Sequence, residues 1–330
     1  MNEERKIFVY ADWAKLVGPV LMGTLFCTGI RGKEIYQFEY DHDWLKSKFV
    51  LTLDPNLLLF SGRQFPPKEA GNFGIFLDSM PDRWGKQLML RREAINAKLE
   101  NRRQKALLNS DFLLGVDDFQ RIGGLRFKLQ KEADFLNNDP EFITPPWTSL
   151  RNLEYASIKY ENDRFQQDEE SLKWFKMLLA PGSSLGGARP KAGIKDPDEA
   201  LWIAKFPSKN DEIDVGGWEM VINQLAKMSG ITVPEARAQR FSQNHHTFLT
   251  KRFDRTKSGK RIHFASAMTM LHHKDGDDHT EGLSYLEMIP FILKYCSNPN
   301  WNLEELWRRI IFSILIKNTD DHLRNHGFIL

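Results

Sequence analysis

Cysteine is scarce in this chain of 330 residues, which contains only Cys27 and Cys296. Two thiols without a paired spacing exclude a disulfide framework of the kind found in small secreted proteins. They are typical of reduced cysteines in a cytoplasmic protein, and a single long-range disulfide between them is the alternative. We therefore expect a cytoplasmic protein stabilised by a hydrophobic core, for which a hydrophobic content of 41% is ample.

Long apolar runs are also missing. No stretch of about 18 uninterrupted apolar residues occurs, so we expect no transmembrane helix. The polar start, Met1 to Lys6, lacks the basic-then-apolar order of a secretory signal. The most apolar early stretch, Val17 to Ile30, is interrupted by glycines and a proline.

The chain has almost no excess of charge of either sign. It contains 46 Lys and Arg residues against 44 Asp and Glu residues, for a net charge of +2. Proteins that bind nucleic acid over a wide face need a strongly basic surface, because the phosphate backbone dominates that affinity. The composition therefore argues against extensive direct DNA binding and leaves room for a local basic cleft.

Apolar runs and turn residues predict a β-rich N-terminal module over residues 1–130. Ile7 to Trp13 and Val20 to Cys27 are short apolar runs separated by a Gly-Pro pair, which predicts two paired strands. Phe49 to Leu53 is a further predicted strand. Basic and aliphatic residues mix at helical spacing from Arg83 to Ala106, which predicts a helix.

The rest of the chain divides into a linker and two lobes. Residues 131–170 show no sustained period and are rich in Asn and Pro, so we expect a linker. Residues 171–253 are predicted to form a small lobe, and residues 254–330 a helical lobe. The small lobe's predicted elements are a helix at Ser171–Ala180, strands at Ala188–Lys195 and Ala200–Phe206, a helix at Gly217–Ser229, and strands at Arg237–Phe241 and Thr247–Phe253.

The last predicted helix is strongly periodic. Between Leu303 and Leu315 the apolar residues recur at i, i+3, i+4, i+7 and i+8, which predicts one continuous buried face. Asn302 is the predicted N-cap. This helix leads directly into a dense polar stretch, Asn318 to Asn325.

The polar stretch has the residue types that phosphoryl transfer requires. Asp320 and Asn325 lie five positions apart. In phosphoryl transfer a carboxylate accepts the hydroxyl proton, and a nearby Asn oxygen binds Mg²⁺. The alternative is an ordinary loop of helix-capping residues.

Residues suited to a nucleotide site precede this stretch. The loop from Gly182 to Gly187 can turn its N–H groups toward phosphate oxygens, and Lys191 follows it. Lys205 lies in a predicted strand, where its partner is either a phosphate or Glu219 on the next helix; the alternative places Lys205 on the solvent face. Glycine loop, strand lysine, helix glutamate and Asp/Asn loop follow one another in the order found in kinases.

Four motifs resemble those of the HipA family of bacterial serine/threonine kinases. The pattern Asp-x-His-x-x-Asn resembles the family's catalytic loop and is shared more loosely with lipid kinases. The others resemble its Ser/Gly-rich loop, its hinge signature and a segment of its N-terminal module. The matching residues are Asp320, His322 and Asn325, then Ser184–Lys191, Lys251–Arg255 and Phe76–Gly85.

The resemblance implies catalytic and metal-binding roles. Asp320 would act as the general base, His322 would support the shape of the loop, and Asn325 would bind Mg²⁺. Lys205 would hold the phosphates of ATP and would be oriented by Glu219.

The resemblance also implies a wider set of nucleotide contacts. Ser184 matches a loop serine that family members phosphorylate on themselves, a step implied to eject the loop and silence the kinase. Phe253 and its neighbours would offer backbone groups to adenine, although Lys251 stands where some members have Glu. The implied cofactor-binding residues are Ser184, Gly186, Gly187, Lys191, Lys205, Glu219, Arg252 and Phe253.

The implied fold is α+β: a bilobal, protein-kinase-like fold with a β-rich N-terminal module. Family members continue to a second metal-binding aspartate and further helices, so we expect the helical lobe here to be incomplete. Three hypotheses follow: an ATP- and Mg²⁺-dependent protein kinase of the toxin type, a catalytically incomplete kinase that binds a helix-turn-helix antitoxin, or a small-molecule or lipid kinase. The expected partners are a protein substrate and that antitoxin, with DNA contacted only through the antitoxin.

Overall fold

The computed structural model defines most of the chain. It describes residues 4–30, 32–68, 70–136, 144–162, 178, 187, 189–241, 245–274, 276–277, 280 and 282–330. The predicted helix at 171–180 lies outside the described residues except for Leu178. The predicted glycine loop lies outside them except for Gly187, so Ser184 and Gly186 are not described.

A four-stranded antiparallel sheet forms the centre of the N-terminal module. Its strands are β1 (Glu4–Ala11), β2 (Val20–Ile30), β3 (Lys33–Tyr40) and β4 (Leu125–Lys128), in the order β3-β2-β1-β4. The predicted pairing of the first two strands is confirmed. Their inward side chains, such as Ile7, Val9 and Leu25, are fully buried, because alternate residues of a strand face the core.

The module also contains four helices, and their bounds differ in part from the prediction. They are α1 (His42–Lys46), α2 (Gly74–Asp78), α3 (Arg83–Leu99) and α4 (Asn109–Gly115). The predicted helix to Ala106 ends at Leu99, just before Asn101, whose φ of 49° cannot continue a helix. The predicted strand at Phe49–Leu53 is wrong: this segment has no strand partner, and Leu53 is buried in the module core without one.

The predicted linker contains regular structure. A short 3₁₀ turn at Trp147–Ser149 leads into α5 (Leu150–Glu161), whose Leu150 and Leu153 are fully buried. These side chains share a hydrophobic core with Trp202 of the small lobe. The expectation of a featureless linker is therefore wrong for this stretch, because tertiary packing stabilises a helix whose sequence carries weak local signals.

A second four-stranded antiparallel sheet forms the small lobe. Its strands are β5 (Lys191–Lys195), β6 (Leu201–Lys205), β7 (Ala236–Gln239) and β8 (Thr247–Lys251), in the order β5-β6-β8-β7. The helix α6 (Val215–Met228) packs against β7 and β8. The predicted strands of this lobe and its predicted helix at Gly217–Ser229 are thus confirmed.

The last part of the chain combines helices with a two-stranded ribbon. The ribbon pairs β9 (Phe264–Ser266) with β10 (Gly327–Ile329) in antiparallel register. Between them lie α7 (Ala267–Met270), a 3₁₀ turn at Tyr285–Glu287, α8 (Met288–Tyr295) and α9 (Pro299–Leu315). The ribbon returns the chain to β9 directly after the polar stretch.

The predicted burial of the last helix is wrong for half of its apolar face. Leu306 is buried, but the side chains of Trp307, Ile314 and Leu315 are exposed. Periodicity defines an apolar face of a helix, but it does not say whether another element covers that face. The N-cap is Asn298, with Pro299 in the first turn, rather than Asn302, which lies inside the helix.

Two further expectations are resolved by the structure. Cys27 is buried, Cys296 is partly buried, and both are free thiols, so the alternative of a disulfide between them is wrong. None of the helices in the described part of the chain is long and apolar enough to span a membrane.

Candidate functional site

An ion pair connects the small-lobe sheet to its helix. Lys205, the last residue of β6, places its Nζ 2.6 Å from Oε2 of Glu219 on α6. The lysine side chain is 34% exposed and the glutamate side chain 25%, so the pair faces an open side of the lobe. The solvent-face alternative for Lys205 is therefore only partly correct, because the ammonium has a fixed carboxylate partner and remains accessible.

The start of α6 is fixed by a polar cap. Asp214 accepts hydrogen bonds from the backbone N–H of Gly217 (3.1 Å) and from that of His246 (2.7 Å). Burial alone would raise the pKa of Asp214, but these hydrogen bonds, together with that from the His246 ring, lower it to about 2. The carboxylate stays ionised and fixes the helix that carries Glu219.

A second lysine lies beside the first. Lys191 of β5 is directly opposite Lys205 in the antiparallel ladder, so both side chains are on the same face of the sheet. The Nζ of Lys191 is 2.6 Å from Oδ2 of Asp82, and both side chains are only 3% exposed. Burial lowers the pKa of Lys191 and raises that of Asp82, and the attraction within the pair opposes both shifts. Asp82 of the N-terminal module therefore competes with the phosphate that Lys191 was predicted to bind.

Lys191 also holds the end of the glycine loop. Its Nζ donates to the carbonyl of Gly187 at 3.2 Å, and the backbone N–H of Trp84 donates to the same oxygen at 3.4 Å. The φ of Gly187 is +96°, a conformation that residues with a Cβ rarely adopt. The indole Nε1 of Trp84 donates to the backbone carbonyl of Lys191 at 3.0 Å.

The polar stretch after α9 forms a turn closed by its own hydrogen bonds. The Asn325 side-chain Nδ2 donates to the carbonyl of Asp320 at 2.8 Å, and its backbone N–H donates to the carbonyl of His322 at 2.8 Å. The Asp320 side chain is 95% exposed, and the His322 ring is 3.9 Å from it. The three predicted residues are thus brought together in one turn, with the Asp320 carboxylate open to solvent.

Asp321 is a site residue that the sequence analysis missed. Its carboxylate accepts from Tyr285 Oη at 2.5 Å and lies 2.8 Å from Nε2 of His326. Burial tends to raise the pKa of Asp321, but the hydrogen bonds from His326 and Tyr285 lower it below its ordinary value. Adjacent carboxylates in one polar run give no signal of which points inward, so only the structure separates Asp320 from Asp321.

The ribbon and the N-terminal module hold this turn in place. The backbone N–H of Ala267 donates to the carbonyl of His326 at 2.8 Å. Ser266 pairs with Gly327 in the ribbon and donates from its hydroxyl to Asp78 at 2.7 Å. The backbone N–H of Ser266 donates to the other carboxylate oxygen of Asp78 at 2.8 Å. The Asp78 carboxylate of the N-terminal module thus fixes β9, which pairs with β10, the strand that begins two residues after Asn325.

The predicted hinge contains a buried charge cluster. The Arg252 guanidinium is 2.6 Å from Asp254 and 2.6 Å from the carbonyl of Gln120 in the N-terminal module. Arg255 also bonds to Asp254. The Arg252 side chain therefore points into the module contact, and only its backbone is left for the predicted adenine role. Phe253 is 43% exposed, with its ring packed against Phe264.

The protein oxygens of this site could bind Mg²⁺ only together with the oxygens of a bound phosphate group. Among the described residues, no three His, Cys, Asp or Glu side chains come together as a metal site. Mg²⁺ is commonly held by one or two protein oxygens together with substrate phosphates and water. Because Asn325 donates its Nδ2 to Asp320, its Oδ1 is free of that contact, and it fits such a shared role.

A family model matches the second part of the chain. Residues 183–330 match the model described as the HipA-like C-terminal domain. This part of the chain is similar to a HipA-like C-terminal domain. The matched range includes Lys205, Glu219, Asp320 and Asn325, so the resemblance predicted from the motifs is confirmed.

Two individual proteins extend the comparison. A curated Haemophilus influenzae protein named "Putative kinase" is 32% identical over 199 residues, which are 55% of this chain and 58% of that protein. The match thus spans less than two thirds of the relative's length. The solved complex of the Shewanella oneidensis MR-1 toxin–antitoxin system, HipA and HipB with operator DNA, contains a chain of similar fold. That match has a TM-score of 0.65 and 18% identity over 98% of this chain and 72% of the other.

The structural match concerns the fold of the whole chain. It covers nearly all of this chain, including the N-terminal module that lies outside the family model. The predicted mixed α/β, HipA-like fold is therefore confirmed. At 18% identity the likeness shows the fold alone.

Proposed function

We propose that this protein is an ATP- and Mg²⁺-dependent serine/threonine protein kinase of the HipA toxin type. The observation that carries the proposal is the 2.6 Å pair of Lys205 and Glu219, which joins a sheet lysine to a helix glutamate. Protein kinases require such a lysine–glutamate pair to hold the nucleotide phosphates. The HipA-like C-terminal domain and the kinase-named relative support the same reaction class.

Lys205 would bind the phosphates, and Glu219 would orient it. A bound ATP would supply the transferable phosphoryl group, and Mg²⁺ would neutralise its oxygens. The Lys205 ammonium has three donors, of which Glu219 occupies one and the partly exposed side faces the proposed ligand. The cap at Asp214 keeps Glu219 in place, so the lysine is held in position before nucleotide binds.

Asp320 would act as the general base. Its carboxylate is open to solvent, so an incoming hydroxyl group of a protein substrate can reach it. The turn that carries Asp320 is closed by Asn325, which leaves the Asn325 Oδ1 available as a Mg²⁺ ligand. His322 would support the turn through its backbone carbonyl, which accepts from Asn325.

The substrate class in this proposal is a protein with an accessible serine or threonine. Ser184 is itself a proposed phosphorylation site, since it lies in the Ser/Gly-rich loop that ends at Gly187. Lys191 holds the described end of that loop at Gly187, and phosphorylation of Ser184 would add negative charge to the loop. A small-molecule or lipid kinase remains a weaker proposal, because no feature of the described surface favours such a substrate.

The decisive experiment is phosphotransfer by the purified protein. The protein is incubated with Mg²⁺ and ATP, phosphorylated residues are mapped by mass spectrometry, and Asp320→Asn is treated in parallel. Loss of a general base lowers the rate by about 10²–10⁴-fold, so phosphate on the wild type and not on the variant is expected. Asp198→Asn, an exposed carboxylate in the β5–β6 turn, is the matched control and should react like the wild type.

Two outcomes contradict this proposal. Equal phosphorylation of wild type and Asp320→Asn would remove Asp320 from its role and indicate a contaminating kinase. Absence of both phosphorylation and ATP binding in the wild type would instead favour the catalytically incomplete, partner-binding alternative.

We also propose an antitoxin partner of helix-turn-helix type, with DNA contacted only through it. The solved complex of similar fold contains HipB and operator DNA together with HipA. The net charge of +2 shows no excess of basic residues of the kind that extensive direct DNA binding requires. Gel-shift assays on DNA upstream of its gene should show binding only when the product of the adjacent gene is added; binding by this chain alone would contradict the proposal.

A further inference from the structure

The proposed kinase site is contacted on two sides by one short segment of the N-terminal module, residues 78–84. We propose that Asp82 and Asp78 are positioning residues for phosphoryl transfer. Asp82 acts through Lys191 on Gly187, the glycine-loop end. Asp78 acts through Ser266 on the turn at Asn318–Asn325, here called the catalytic turn. This inference rests on the proposed kinase function and assigns to the module a part in building the active site.

The contact on the nucleotide side is buried and has several bonds. Asp82 holds the Lys191 ammonium at 2.6 Å, and Lys191 in turn donates to the carbonyl of Gly187. Trp84 donates to the same carbonyl from its backbone and to the Lys191 carbonyl from its indole. Asp82 and Lys191 are both only 3% exposed, so loss of the carboxylate would remove a charged partner from a buried ammonium and would weaken the contact of Lys191 with Gly187.

The contact on the catalytic side is equally direct. Both carboxylate oxygens of Asp78 accept from Ser266, one from the hydroxyl and one from the backbone N–H. Ser266 pairs with Gly327 in the ribbon, two positions after Asn325. Asp78 is also close enough to Arg324, inside the catalytic turn, for the arginine's charge to act on its carboxylate. Asp78 thus fixes the turn at the end from which Asn325 projects.

The segment between the two aspartates is rigid, so the two contacts are mechanically linked. Asp78 ends α2, and Asp82 caps α3 by accepting from the N–H of Gly85 at 2.7 Å. Between them, the Ser79 carbonyl accepts from the fully buried Arg121 guanidinium at 2.8 Å. Met80 is buried as well. A fixed spacer of three residues therefore sets the glycine-loop end relative to the catalytic turn.

The arrangement predicts that loss of Asp82 and loss of Asp78 change different kinetic constants, KM for ATP and kcat respectively. Asp82 lies on the side of the nucleotide phosphates, so its loss should weaken ATP binding. Asp78 lies on the side of the proposed base and metal ligand, so its loss should slow the chemical step. A purely structural role would instead lower the active fraction of enzyme, which reduces kcat in both variants and leaves the KM for ATP unchanged.

The test measures KM for ATP and kcat of the full chain for three variants in saturating Mg²⁺. Asp82→Asn is expected to raise KM for ATP about tenfold with kcat within about twofold. An effect of this size is typical of the interaction between residues in contact, here Asp82 and Lys191. Asp78→Asn is expected to lower kcat about tenfold with KM within about twofold, while the number of ATP-binding sites per chain, measured by equilibrium titration, stays at the wild-type value. A number of sites reduced in proportion to kcat would show a loss of active enzyme and contradict the role of Asp78. Glu199→Gln is the matched control, because Glu199 forms an exposed ion pair with Lys195 at the other end of β5; both constants should stay at wild-type values.

A double variant tests whether Asp82 acts through Lys191. Lys191→Met and Asp82→Asn/Lys191→Met are measured in the same way. If the two residues act as a unit, the double variant raises KM for ATP no further than either single variant. An increase in KM equal to the product of the two single-variant increases would contradict the proposal. The double variant also removes both buried charges, so it keeps the test available if Asp82→Asn alone fails to fold.

The outcomes separate this inference from the proposed function. A wild type that phosphorylates, combined with Asp82 and Asp78 variants that share one pattern of reduced kcat at unchanged KM, overturns the inference and leaves the kinase function intact. A wild type that neither phosphorylates nor binds ATP in an equilibrium titration overturns both.

Discussion

Lys191 and Lys205 lie directly opposite each other on neighbouring strands, and each is neutralised by its own carboxylate from outside the sheet. Two like charges at opposed positions of an antiparallel pair repel each other. Asp82 of the N-terminal module compensates the first lysine and Glu219 of α6 the second. The pairing leaves the more exposed lysine, Lys205, as the cation best placed for a phosphate ligand.

Replacing Lys205 should therefore weaken nucleotide binding without unfolding the protein. In Lys205→Met we expect affinity for ATP, measured by titration with a fluorescent ATP analogue, to fall at least about tenfold, since a charge-assisted contact contributes on the order of 1.5–3 kcal/mol. Glu219→Gln should give a smaller loss, because the lysine remains present but is no longer oriented.

The control for this prediction is Lys195→Met on β5. Lys195 is paired with Glu199 in an exposed i,i+4 contact, so the same change of charge in the same sheet should leave ATP affinity unchanged. Equal affinity in Lys205→Met and wild type would contradict the assigned role.

The adjacent carboxylates Asp320 and Asp321 should behave differently on substitution. Asp320→Asn removes an exposed group, so the free energy of unfolding should change by less than about 0.5 kcal/mol while phosphotransfer is lost. Asp321→Asn removes a largely buried acceptor of Tyr285 and His326 and should destabilise the protein by about 1–3 kcal/mol. Urea denaturation of both variants checks this, and the reverse order of stability would show that the two carboxylates have been assigned the wrong way round.

The buried carboxylate of Asp254 should be essential for stability. Although burial would raise its pKa, the guanidiniums of Arg252 and Arg255 lower it well below the ordinary value. Removing one member of a buried ion pair costs about 3–5 kcal/mol, because the remaining charges are left uncompensated. We expect Asp254→Asn to lower the free energy of unfolding by that amount in chemical denaturation, whereas a loss under 1 kcal/mol would show that the arginines find other partners.

His263 should make the stability of the protein depend on pH in the mildly acidic range. Its side chain is buried, and burial lowers its pKa to about 4 from the ordinary 6.5. The unfolded state binds the proton more readily, so the contribution of His263 is complete above about pH 6.5 and is lost as the pH falls toward 4. The shift corresponds to about 3 kcal/mol.

Unfolding free energies measured between pH 4 and 7 test this prediction. In His263→Gln the loss of stability between pH 6.5 and 4 should be smaller than in the wild type by up to about 3 kcal/mol. His42→Gln is the control, since the His42 side chain is 71% exposed and should leave the profile unchanged. Identical profiles for His263→Gln and wild type would exclude His263 as the cause.

Much of the local structure followed from the sequence. Short apolar runs on either side of a Gly-Pro pair predicted the pairing of β1 with β2, and the strands β5 and β6 were predicted as well. The positions of Lys205 in a strand and Glu219 on the next helix made Glu219 one of two candidate partners for Lys205, the other being a phosphate. These relationships involve neighbouring elements, for which spacing along the chain restricts the geometry.

Relationships between distant segments depended on the tertiary structure. The partner of Lys191 is Asp82, 109 positions earlier, and no local pattern connects them. Equally, the periodicity of α9 defined an apolar face but not the exposure of Trp307 and Leu315. Burial and long-range ion pairing depend on which surfaces meet, whereas residue spacing within one element constrains only that element. The sequence by itself therefore determined the elements, the family motifs and the kinase order of the chain, while the folded arrangement decided how the N-terminal module reaches both sides of the candidate site.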